Sequence, residues 1–164
     1  MADLMSIKGI SEIVFNVDDL PAMREFYQRV LGFEVLSEGC FDREDGESSD
    51  GPPTISFLTV AEQATPLGQH GHPQVLALID HRRHTFSRSR LERIDQRCSP
   101  LNHVAFEIDP DAYDQWKAKL AEEELETIEA RFRSFQAKAI FFRDIEGNRV
   151  ELICHERKSM LEAH

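Results

Sequence analysis

The chain has 164 residues, 41% of them hydrophobic and 30% charged, enough for one compact domain or two small halves that bury roughly 70% of the unfolded surface. A formal net charge of −11 makes a nucleic-acid backbone a poor partner. No apolar run approaches the roughly 20 residues that span a bilayer, and "MADLMSIKGI" lacks the charged and long apolar regions of a secretory signal.

The first strand-like run, "ISEIVFNVDDL" at residues 10–20, alternates apolar and polar positions and runs straight into helix-start chemistry. Asp18 or Asp19 can cap, and Pro21 suits a first turn. Met23, Phe26, Tyr27, Val30 and Leu31 then form an i, i+3, i+4, i+7, i+8 stripe, and Gly32 is placed to stop the helix. Three strand-like runs follow, at 33–41, 54–60 and 74–80. Between the first two lies "DREDGESSDGPP", acidic and rich in turn formers, read as a mobile surface loop, and "AEQATPLGQHGHP" is a second long loop. Residues 82–100 read as a linker in which six arginines stand against Glu92 and Asp95, either solvated, at a subunit contact or attracting an anionic substrate.

The pattern then repeats. "LNHVAFEIDPD" at 101–111 lies over residues 10–20 with an offset of 91, matching Ile13 to Val104, Phe15 to Phe106 and Val17 to Ile108. Asp109 caps, Pro110 opens the second helix, and Tyr113, Trp116 and Leu120 give its apolar stripe. Three further strand-like runs occupy 127–135, 138–143 and 149–155, with "DIEGN" as a tight hairpin turn. The domain reading is therefore a module at 1–81, a linker at 82–100, a second module at 101–156 and a tail at 157–164.

Strand parity places the candidate chemistry. With Ile13, Phe15 and Val17 packed beneath the first helix, Glu12, Val14 and Asn16 face the other way. By the same rule His103 and Ala105 face away from the second helix. Glu151, in "NRVELICHE", points away from Val150, Leu152 and Cys154. Three ionisable side chains from separate strands can thus share one surface. Two nearby carboxylates with no cation would push one pKa up, a conflict that a divalent ion removes.

A βαβββ unit used twice, with "VDDLPAMREFYQRVLGF" after the first strand and "DIEGNRVEL" before the last, resembles the vicinal oxygen chelate superfamily. That superfamily includes glyoxalase I, extradiol dioxygenases, methylmalonyl-CoA epimerase, fosfomycin-resistance enzymes and bleomycin-binding proteins. The resemblance covers residues 7–156. It implies an α+β fold in which two modules form an incomplete, metal-enclosing barrel, usually in a homodimer. It also implies a divalent ion (Fe, Mn, Zn, Ni or Co) held by Glu12, His103 and Glu151.

A fourth ligand would come from the last strand of the first half, where matching "QVLALIDH" to "RVELICHE" sets Leu76 opposite Glu151. Gln74 is the possible fourth ligand if that register slips by two. A three-ligand set implies dioxygenase-like chemistry on a small substrate with vicinal oxygens, with a glyoxalase-like lyase or isomerase, or a drug-binding shell, as alternatives. Phe132, Phe135, Phe141 and Phe142 are candidates to line a cavity. His70, His72, His81 and His155 read as structural or rim residues. No catalytic residue beyond the ligands is assigned. Cys40, Cys98 and Cys154 lack CxxC spacing and suit a reducing, cytoplasmic setting without nucleic-acid or membrane partners.

Overall fold

The structure is a computed structural model describing residues 10–61, 74–85, 87, 101–133 and 136–155. The chain divides into two compact units, Met1–Ile94 and Asp95–His164. Each unit carries one open four-stranded sheet with a helix, an α+β arrangement in which neither sheet closes on itself. No helix among the described residues is long and apolar enough to cross a membrane.

In the first unit β1 (Glu12–Val17) leads into α1 (Leu20–Leu31), followed by β2 (Glu34–Gly39), β3 (Ile55–Ala61) and β4 (Gln74–Asp80). The strand order is β1-β4-β3-β2, with β1 parallel to β4 and the other pairs antiparallel. The crossover through α1 is what permits the parallel pair. Asp19 caps the helix by accepting the Ala22 N–H at 3.0 Å, and Pro21 lies in its first turn. Gly32 ends it at φ 73°, a left-handed conformation that glycine adopts without Cβ strain. The expected stripe is buried in full: Met23, Phe26, Tyr27, Val30 and Leu31 face the sheet, joined by Leu20. At about 1.5–3 kcal/mol for each large apolar side chain removed from water, this face is the main support of the unit.

The second unit repeats the order. It runs β5 (Val104–Glu107), a 3-10 turn at Pro110–Ala112, α2 (Tyr113–Glu122), β6 (Ile128–Phe132), β7 (Ala137–Arg143) and β8 (Arg149–His155), with strand order β5-β8-β7-β6. Asp109 caps the 3-10 turn by accepting from Asp111 N–H at 2.9 Å. Tyr113 and Leu120 are buried, whereas Trp116 is half-exposed beneath the Lys119 ammonium, 5.3 Å from the ring centre. The hairpin between β7 and β8 is held by the buried carboxylate of Asp144. It accepts from the N–H groups of Glu146 and Asn148 at 3.0 and 2.9 Å and from the Asn148 amide at 2.8 Å.

The acidic segment after β2 differs from expectation, because it is tied down along its length. Ser49 N–H donates to the Cys40 carbonyl at 2.9 Å and Ser49 Oγ to Asp42 at 2.8 Å, while Arg83 donates to the Pro52 carbonyl at 2.8 Å. Its Ser and Asp side chains satisfy nearby polar groups, which composition alone does not reveal. Phe135, His70, His72, Cys98 and most of the arginine-rich linker lie outside the described residues.

Candidate metal centre

Residue parity on β8 sends Val150, Leu152 and Cys154 toward α2 and Glu151 to the opposite face. There Glu151 stands across from Ala105 on β5 and Phe141 on β7. His103 precedes β5 by one residue and shares the face of Ala105. The two meet, with His103 Nε2 lying 2.9 Å from Glu151 Oε2. Phe141 closes the side, its ring 5.7 Å from the imidazole and nearly perpendicular to it. Glu151 is only 4% exposed, so its charge would cost several kcal/mol without a partner.

The other ring nitrogen determines what this pair can hold. His103 Nδ1 is 2.8 Å from the side-chain oxygen of Asn102, an acceptor, which suits the tautomer with its hydrogen on Nδ1. A neutral ring then points its Nε2 lone pair at a carboxylate oxygen. Two lone pairs 2.9 Å apart need a positive charge between them, either a proton or a metal ion. An ion about 2.1 Å from each donor, with the donors at right angles, sets them roughly 3 Å apart. The pair therefore fits a divalent ion, and Asn102 acts as the outer partner that fixes the ring.

Glu12 opens β1 in the first unit, exposed, on the face it shares with Val14 and Asn16. Gln74 opens β4. The ladders pair Val14 with Ala77 and Ala105 with Glu151, so by the 91-residue offset Ala77, and not Leu76, is the counterpart of Glu151. Gln74 has the opposite parity to Ala77 and lies on the face of Leu76 and Leu78. Within either unit, no three His, Cys, Asp or Glu side chains among the described residues gather as a metal site. His155 is exposed and 3.7 Å from Glu107. His81 is buried, its Nε2 2.5 Å from Asp18 Oδ1. Phe141 joins the pair's face, whereas Phe142 is buried on the opposite face, with Val150.

Sequence reasoning missed Asn102. It is the neighbour of His103 in the chain and has the opposite parity, so the alternation that selects His103 passes over it.

The strand order of each unit agrees with comparisons to known proteins. The family model described as the Glyoxalase/Bleomycin resistance protein/Dioxygenase superfamily matches residues 9–152, and the chain belongs to that superfamily. Among individual proteins, it is 26% identical over 159 residues to a metallothiol transferase, FosB, of Staphylococcus epidermidis, covering 96% of this chain and 89% of that protein. A FosB of Staphylococcus haemolyticus is 24% identical over 147 residues, covering 89% and 83%. Of solved structures, a variant of the fosfomycin resistance protein FosX of Listeria monocytogenes, complexed with Mn(II) and 1S,2S-dihydroxypropylphosphonic acid, is similar at TM-score 0.62 and 17% identity, covering 92% and 95%. A lactoylglutathione lyase of Agrobacterium tumefaciens is similar at TM-score 0.58 and 19% identity, covering 96% and 98%.

Proposed function

We propose that the chain is a divalent-metal-dependent enzyme acting on a small substrate with adjacent oxygen atoms. Glu12, His103 and Glu151 are its protein ligands, and it works as a cytoplasmic homodimer. The observation that carries this reading is the pairing of the half-buried His103 with the buried Glu151, 2.9 Å apart, with the far ring nitrogen beside Asn102. A bound divalent ion supplies Lewis acidity toward the substrate oxygens. The chain's own residues do the rest. Asn102 holds the imidazole in the tautomer whose Nε2 is free to donate, Phe141 fixes its orientation, and the burial of Glu151 keeps water from competing for the carboxylate.

Two carboxylates and a neutral imidazole balance the charge of the ion and favour a harder metal, manganese or iron, over the softer candidates. The reaction this set supports best is group transfer to a small oxygenated electrophile. The relatives similar along most of the chain are metallothiol transferases. Dioxygenase-like ring cleavage is the second reading, favoured by Ala77 standing where a fourth ligand would be.

Metal analysis of protein purified without chelator tests the site, with about one ion per chain expected in the wild type and under a tenth of that in Glu151→Ala. Equal metal in both would remove Glu151 from the site. Turnover of a thiol with an epoxide phosphonate, against oxygen uptake with catechols, separates the two reactions. Metal-independent ligand binding with no turnover would leave a sequestering protein.

A further inference from the structure

We infer that the Asp50–Gly51 peptide, in the segment between β2 and β3, is a site of spontaneous aspartate isomerisation, and that conversion there lifts the segment off the Cys40 thiol. The chain has two Asp-Gly pairs, Asp45–Gly46 and Asp50–Gly51, and both lie in this one segment. Glycine has no side chain to shield its amide nitrogen, so that nitrogen can reach the carboxyl carbon of the aspartate before it. The nitrogen of Gly51 bonds to Cγ of Asp50, and the amide proton leaves with the carboxyl hydroxyl as water. Water then opens the five-membered imide at the original main-chain carbonyl. The chain now runs through the side-chain carboxyl, one methylene longer, and the former main-chain carbonyl becomes a free carboxylate. One water is lost and one is returned, so no other reactant is needed.

The structure separates the two pairs. Asp45 is held from two sides, by Arg43 Nη2–H donating to Oδ2 at 2.5 Å and by the Glu47 N–H donating to Oδ1 at 3.0 Å. Those bonds, the arginine's first, keep its carboxyl at about 2, so the protonated form whose hydroxyl can leave is scarce. The Gly46 N–H is engaged as well, donating to the Arg43 carbonyl at 3.1 Å. Asp50 and Gly51 are both exposed. No hydrogen bond or ion pair with a described residue holds the Asp50 carboxylate or the Gly51 N–H. Electrophile and nucleophile are therefore both at liberty in the second pair and both restrained in the first.

The main chain has no slack at this point. On one side the Ser49 N–H donates to the Cys40 carbonyl at 2.9 Å, and on the other Arg83 donates to the Pro52 carbonyl at 2.8 Å. Between these anchors Gly51 lies against the Cys40 sulfur, so close that one carbon added to its Cα would sit 3.0 Å from Sγ. Under this cover Cys40 is 3% exposed. An extra methylene between residues 49 and 52 has no room on the packed side, and the new carboxylate is driven toward water. Both effects move Gly51 away from the thiol.

The test is to age the full chain at neutral pH, folded and in denaturant, and to locate isoaspartate by enzymatic methylation and peptide fragmentation. In the folded chain conversion at Asp50 is expected to outrun conversion at Asp45 about ten-fold or more, because the hydrogen bonds at Asp45 have to break first. In denaturant the two rates should converge, and Arg43→Gln should raise the rate at Asp45 in the folded chain. Labelling of Cys40 by a thiol reagent, resolved from Cys98 and Cys154 by peptide mapping, is expected to speed up about ten-fold or more in converted chains. Asp50→Glu aged alongside should show neither change, since its longer side chain does not close the five-membered ring. No isoaspartate at residue 50, equal rates at the two pairs in the folded chain, or a ratio that persists in denaturant would overturn the assignment. Converted chains whose Cys40 labels no faster than in fresh protein would overturn the uncovering.

Discussion

The two modules have the same strand order and the same ladder register, yet they differ at the positions that matter. In the first, Glu12 is exposed and the position two residues on, Val14, pairs with Ala77, which is fully buried. In the second, His103 takes the place of Glu12, and Ala105 pairs with the buried Glu151. One scaffold thus carries either an aliphatic interior with a free carboxylate at its edge, or a buried carboxylate with a histidine at its edge. A charge survives inside this sheet only where the neighbouring strand supplies its partner.

The sharpest way to break the comparison is to move the charge without its partner. Ala77→Glu installs an unpaired, overpacked carboxylate at a site with no exposure, and the expected cost is about 3–5 kcal/mol, read as a drop in denaturant midpoint. Adding Glu12→His supplies the imidazole that the second module has, and part of the loss should return. Equal stability of the single and double variants would show that the pairing does not explain the difference.

Within the proposed metal site, Glu151→Gln is expected to weaken Mn(II) binding about 100-fold and Glu12→Gln about ten-fold, measured by competition with a chelating dye. The ranking follows from preorganisation, since Glu151 is buried and held while Glu12 is exposed and must be ordered on binding. The reverse ranking would place the stronger ligand in the first module.

Much of this asymmetry was readable from the sequence, and the exceptions have physical causes. The repeat, the buried stripe of α1 and the parity of Glu12, His103 and Glu151 all come from period-two and period-3.6 patterning, which one-sided burial makes strict. The counterpart of Glu151 came out one residue off because β4 reads "VLALI", buried at every position, so its apolar run carries no phase. Asn102 was invisible because its parity is opposite to that of His103 and it acts through a contact with its own chain neighbour. The bonding of the acidic loop depends on contacts such as Arg83 with Pro52, far apart in sequence.

The modules should also fail at opposite ends of the pH scale. In the second, burial, with help from the nearby Glu129 carboxylate, pushes the Tyr113 hydroxyl up to about 12 from its usual 10. The folded state then holds that proton more tightly than the unfolded chain. This stabilisation is complete below pH 10 and is lost between about pH 10 and 12, an order of 2–3 kcal/mol that Tyr113→Phe should abolish. In the first module burial lowers the pKa of His84, against the opposing pull of Asp80. The unfolded chain takes up that proton first, so stability falls as pH drops below about 6.5 and levels off once the folded histidine protonates. Denaturant midpoints across pH 5–12 for the wild type and each variant would show both slopes, and a flat profile on either side removes the corresponding group.

The smallest contrast is at the helix ends. α1 stops on Gly32 at φ 73°, where an added Cβ meets nothing within 4 Å. α2 stops through Glu124 at φ 55°, with its N–H donating to the Ala121 carbonyl at 3.0 Å. The two ends use the same left-handed turn, but only the first has the residue that adopts it without strain. Gly32→Ala should therefore cost about 1 kcal/mol from backbone conformation alone, since packing leaves room for the methyl. Glu124→Gly should stabilise by about 0.5 kcal/mol, because the strain relieved is partly offset by the freedom glycine gains in the unfolded chain. Opposite signs in one thermal-unfolding series would tie both effects to the left-handed position. Destabilisation by Glu124→Gly would instead mean that the glutamate side chain holds the helix end through contacts of its own.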